Sequence, residues 1–99
     1  MNAVEFIKQY GWEEAKSTVN FFSGIFHKLD ENENVIFTFQ IDDLKQLVDA
    51  WELIQKRGSL SEAKAIEQQY WNSGVGAAMM VAMVLKQAIE LVESVNENN

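Results

Sequence analysis

The chain contains no cysteine, one histidine (His27) and one arginine (Arg57). Each shortage removes a class of function. Without thiols there is no disulfide framework and no thiolate metal site. Lack of disulfides also agrees with a reducing cytosol. A single imidazole leaves a transition metal only carboxylates to complete its shell. General-base chemistry needs a nucleophile and an orienting group beside the base, and no spacing around His27 supplies either, so His27 reads as an ordinary strand residue. There is no glycine-rich phosphate loop. With Arg57 and seven scattered lysines set against 15 acids, the net charge is −7. Nucleic acid is held by neutralising its phosphates, so it is a disfavoured partner, and anionic membrane surfaces are repelled in the same way. No apolar run reaches the roughly 20 residues that span a bilayer. Met1-Asn2-Ala3-Val4-Glu5 lacks the basic-then-apolar order of a signal peptide. The expectation is a cytoplasmic, non-enzymatic protein with no catalytic residue, metal site, cofactor or membrane association, whose partners are proteins with neutral or basic surfaces.

What the chain does have is globular. Hydrophobic residues make up 47% and charged residues 23%, proportions of a folded protein. Ninety-nine residues suit one domain, placed at 1–95, with Asn96-Glu97-Asn98-Asn99 as a disordered polar tail. A domain this small buries about 60–70% of its unfolded surface and has no cross-link to add stability. An oligomeric interface is a natural source of further burial.

The pattern predicts an α+β fold, mostly helical, with about five helices, one β-hairpin and a long C-terminal helix. Asn2 and Glu5 form a capping pair for the first helix, with Val4, Ile7 and Tyr10 on its inner face and Gly11 as its stop. A second helix runs from about Trp12 to Asn20, with Trp12, Ala15 and Val19 inward. The segments 25–29 and 35–39 are rich in β-branched and aromatic residues and flank the turn-forming run 30–34, which reads as a hairpin. Val35, Phe37 and Phe39 share the face expected to pack on helices. Asp42 or Asp43 caps a third helix whose apolar positions, Leu44, Leu47, Val48, Trp51 and Ile54, recur at helical spacing, so Leu47, Trp51 and Ile54 are expected to be buried. Lys56 and Arg57 suit its C-terminal dipole, and Gly58 ends it. Ser59 and Glu62 form a capping box for a fourth helix with Leu60, Ala63, Ile66 and Tyr70 inward and Trp71 beside them. After Asn72-Ser73-Gly74 a fifth helix runs from about Val75 to Val95. Its second half is amphipathic, with Leu85, Ile89, Val92 and Val95 inside and Lys86, Glu90 and Glu93 outside.

Three motifs carry functional readings. The helix–glycine–helix pattern recurs, at Glu5-Phe6-Ile7 through Gly11 to Glu14-Ala15-Lys16 and at Glu52-Leu53-Ile54 through Gly58 to Glu62-Ala63-Lys64. It resembles helix-turn-helix punctuation, but the outward faces are acidic where recognition helices present basic and amide side chains. Two ordinary helix corners account for it. Asp30, Asn32 and Asn34 occupy the first ligand positions of a calcium loop, yet Val35 and Ile41 stand where that loop needs glycine and glutamate, so a solvated turn is the better reading. The third motif is the strongest. Val75 to Leu85 holds no polar side chain in eleven residues. A helix apolar all round is buried all round, either as a central core helix or because one side meets another subunit. The small residues permit close approach, and methionines adapt to irregular surfaces. Val75, Ala78, Met79, Ala82 and Met83 are the candidate interface residues, with a homodimer as the expected assembly.

At residues 5–16, and again from Asp43-Leu44-Lys45 through Gly58 to Lys64, the chain resembles small accessory early-region proteins of lambdoid enterobacterial phages and prophages. The resemblance covers most of residues 1–67, and the Val75–Leu85 segment departs from the pattern. It implies a phage or prophage accessory protein that acts in the bacterial cytoplasm on a host or phage protein, and it transfers no catalytic residues. The alternative is a regulator of nucleic-acid transactions, by helix-turn-helix contact or by acidic mimicry of DNA.

Overall fold

The computed structural model describes residues 3–96. The capping partner Asn2 and the tail residues 97–99 lie outside them. Among the described residues the order is α1 (Ala3–Tyr10), α2 (Trp12–Phe21), β1 (Ile25–Leu29), β2 (Val35–Gln40), α3 (Ile41–Lys56), α4 (Leu60–Asn72) and α5 (Gly76–Asn96). This is the expected mostly helical α+β fold with a hairpin and a long final helix. Asn96, assigned to the tail from sequence, is the last residue of α5. The chain divides into two compact units, residues 1–48 with 95–99, and residues 49–94.

The first unit is built around Phe6. Its ring lies 4.9 Å from Tyr10, 5.3 Å from Phe39 and 5.7 Å from both Phe26 and Phe37, centroid to centroid. Most of these contacts are edge-on, the arrangement favoured by ring quadrupoles. The inner face of α1 is therefore Ala3, Phe6 and Ile7, with Val4 and Tyr10 only half-buried at its margins. The sequence reading placed the face one step round because it did not count Phe6, the residue with most apolar area to hide. On α2, Ala15 is buried as expected, and Thr18 joins it. The threonine hydroxyl donates to the Glu14 carbonyl at 2.9 Å, which satisfies the buried polar group.

The hairpin strands pair antiparallel, with Phe26 opposite Phe39 and Lys28 opposite Phe37. Phe37 and Phe39 are buried, but Val35 is 57% exposed. The cause is a register shift between Lys28 and Leu29, which brings Leu29 opposite Val35 and leaves Ile36 as an extra residue. One inserted residue reverses the side-chain alternation beyond it, so Val35 leaves the inner face it was expected to share. The turn is held by Asp30, whose Oδ1 accepts the Asn32 and Asn34 backbone N–H groups at 2.8 and 2.9 Å. Glu33 takes a left-handed φ of 64° to close it.

The chain passes from β2 into α3 without a loop. The Ile41 N–H donates to the Gly24 carbonyl at 2.8 Å, so Asp42 and Asp43 fall in the first turn of the helix and not at its cap. There they still face the favourable end of the helix dipole. Ile41, Leu44, Leu47 and Val48 complete the core of the first unit with Ala15, Phe37, Phe39 and Val95.

In the second unit, α3 ends with Ala50 and Ile54 buried. Trp51, expected to be buried, is half-buried. Gly58 adopts φ +106°, and Ser59 caps α4 by accepting the Glu62 N–H at 3.2 Å. Ala63 is buried, while Leu60, Ile66, Tyr70 and Trp71 are half-buried. The Trp71 indole N–H donates to Glu67 at 2.6 Å, one turn back. The chain reverses through Ser73 and Gly74. The Ser73 hydroxyl donates to the Tyr70 carbonyl at 2.7 Å and accepts the Val75 N–H at 3.2 Å. The Val75 carbonyl then receives the first bond of α5, from the Met79 N–H.

Candidate functional site: the outer face of α5

In α5 the buried residues of the second unit are Ala82, Leu85, Ala88, Ile89 and Val92. Their spacings of three, four and three to four form one helical stripe. Lys64 of α4 reaches across to Glu93 at 2.7 Å, and both side chains remain half in water, so this pair adds little to stability.

A second set of apolar side chains occupies the rest of the helix circumference. Met80, Met83 and Val84 are exposed, Met80 by 69%, and Met79, Val81 and Leu91 are partly so. Within this set Ala77, Met80, Val84, Gln87, Leu91 and Ser94 recur at intervals of three and four. That is the a/d repeat of a helix that packs against another helix, and it lies on the opposite side from Ala82, Leu85 and Ile89. Among these six only Gln87 and Ser94 are polar.

The five interface candidates from sequence fall on different sides of this division. Val75, Met79 and Met83 are exposed, and Ala78 is half-buried. Ala82 has no exposed surface and belongs to the core stripe. Met80, Val84 and Leu91 complete the exposed face, and the sequence alone did not single them out. No polar residue between Val75 and Leu85 marks the solvent side, and the signal that would have separated the two stripes is the inner Leu85–Ile89–Val92 row of the amphipathic second half, which reaches Ala82 when extended back one turn. The a/d spacing would have grouped Met80, Val84 and Leu91, but the same run holds other helical spacings of equal length.

The other sequence motifs have simpler accounts. The Asp30 carboxylate serves the hairpin turn. The N–H of Asn34, then the N–H of Asn32 and the Asn34 side-chain amide, hold its carboxyl below the ordinary value of 3.8. His27 sits on the outer face of the hairpin with Nδ1 3.1 Å from the Thr38 hydroxyl. The glycine corners are present at Gly11 and Gly58, both with positive φ. The helices after them expose Glu13 and Glu14, and Ser61, Glu62 and Lys64. Among the described residues, no group of three or more His, Cys, Asp or Glu could hold a metal ion, and no helix is long and apolar enough to cross a membrane. No protein-family model, curated protein or solved structure matches the chain.

Proposed function

We propose that the protein is a non-enzymatic interaction module that self-associates through the outer face of α5 and acts on a protein target. One observation carries this reading: Met80, Met83 and Val84 stand exposed side by side on a helix whose opposite stripe is already buried. Each such side chain left in water forgoes about 1.5–3 kcal/mol relative to full burial, and contiguous apolar patches on soluble proteins mark contact sites. A two-fold dimer is the commonest way to cover one. With its net charge of −7, the protein suits a host or phage protein as target better than a nucleic acid or an anionic membrane. An accessory role for a lambdoid phage or prophage in the bacterial cytoplasm rests on the sequence resemblance of residues 1–67.

Sedimentation equilibrium at micromolar concentration tests the self-association. The expected result is a species of twice 11.3 kDa that Met80→Glu converts to a folded monomer. A wild-type protein that stays at 11.3 kDa would falsify it.

A further inference from the structure

Helix α5 is unusual in its charge layout as well as its apolarity. It carries no acidic residue in its first turn and no basic residue in its last. Its ionisable side chains, Lys86, Glu90 and Glu93, all lie in the C-terminal half. The N-terminal end of a helix presents N–H groups without intrahelical acceptors and an effective positive charge. Helices α1 to α4 each carry an acid in the first turn, and α5 carries none.

This layout decides how two copies can meet. We propose that the outer seam of α5 is the contact face for a second copy of this chain, with the two α5 helices running antiparallel. This rests on the self-association proposed above and adds its orientation and register. In antiparallel two-helix packing, a and d positions of one helix face d and a positions of the other. Of the registers that keep this pairing, the one that brings Glu90 level with the start of the other α5 places Met80 opposite the second copy's Val84, and Ala77 opposite the second copy's Gln87. Four large apolar side chains surround the two-fold axis, and each Gln87 lies beside a small residue that leaves its amide room to reach water. Glu90 comes level with the start of the other α5, where it supplies the negative charge that helix lacks. A parallel pair does the opposite. It sets the two Glu90 side chains at one end and the two positive helix N-termini at the other, so like charges meet twice and complement nowhere. A membrane surface is the poorer occupant, because the charged residue beside the seam is Glu90 and not the lysines, arginines and tryptophan of interfacial helices.

The absence of cysteine makes the test direct. Ala77→Cys and Gln87→Cys are made separately at exposed positions, and the full-length chains are mixed and oxidised. A disulfide needs Cα atoms within about 7 Å. The antiparallel register predicts a covalent dimer in the mixture of the two variants, and none from either variant alone. Met80→Cys mixed with Val84→Cys gives a second readout of the same register should one of the first pair fold poorly by circular dichroism. A dimer in which Ala77→Cys cross-links to itself overturns the antiparallel orientation and leaves the self-association standing. A chain that stays monomeric, whether free in solution or bound to zwitterionic or anionic phospholipid vesicles in a flotation assay, overturns both.

Discussion

Single residues carry disproportionate weight in the first unit. Phe6 is 1% exposed and touches four other rings, so Phe6→Ala removes both its buried area and the edge-on contacts. Such truncations cost about 3–5 kcal/mol. The expected outcome is a large fall in the urea midpoint, whereas Phe21→Ala, at a ring 83% exposed, should leave it nearly unchanged. Asp30 is the other residue with a defined task. The Asn34 and Asn32 N–H groups favour its charged form. A group whose folded pKa is depressed contributes stability above its unfolded value, and that contribution is lost as pH falls through the folded one. Hairpin stability should therefore weaken below about pH 3.8. Asp30→Asn should flatten that part of the acid titration when hairpin amide shifts are followed by NMR. Because both carboxylate oxygens already serve the turn, calcium titration should give no saturable heat. Micromolar binding in calorimetry would show that the turn can be rebuilt as a cation site.

At the scale of elements, the bulge and the glycine corner are the informative features. The shifted pairing at Leu29 and Val35 turns Val35 outward while Phe37 stays in the core. Val35→Thr should then alter stability by no more than about 0.5 kcal/mol, as exposed substitutions do. Phe37→Ala should cost several times that, and equal effects from the two would mean the bulge is absent in solution. At Gly58 the backbone is the constraint. Its φ of +106° is one that side-chain-bearing residues rarely adopt, and an added Cβ would meet the Glu62 carboxylate. Gly58→Ala should cost about 1–3 kcal/mol, the range for backbone strain at a non-glycine residue. Pairing it with Glu62→Ala should restore none of that loss, because the exposed glutamate can swing aside without substitution and the strained φ remains. Chemical denaturation of the single and double variants checks this.

For the whole molecule, the question is which side of α5 a partner sees. Ala82 and Met80 are two positions apart in a run that looks uniform, yet one has no exposed surface and the other is 69% exposed. A glutamate at each separates core from contact face. Ala82→Glu buries a charge without a partner and should abolish the far-UV helical signal. Met80→Glu should keep that signal and lose only the association. Loss of helicity in both variants would make the outer seam part of the fold itself and remove it as a contact face.

Element identity and most of the core were legible because local chemistry encodes them. Gly11, Gly58 and Gly74 punctuate the helices, Ser59 and Glu62 mark a helix start, and the spacing of Leu44, Leu47, Val48 and Ile54 marks residues that are buried. The misplaced residues share one cause. Val35 depends on a strand register and Trp51 on which neighbour arrives, and neither is written in local spacing. The same holds for the site. That Val75 to Leu85 is apolar on every side follows from its composition. Which half the protein covers for itself was decided by packing, because the eleven apolar residues carry no polar mark of their own and only the amphipathic turns after Leu85 orient the helix. The buried Ala82–Leu85–Ile89–Val92 stripe takes one side, and the side left over is the one that includes Met80, Met83 and Val84.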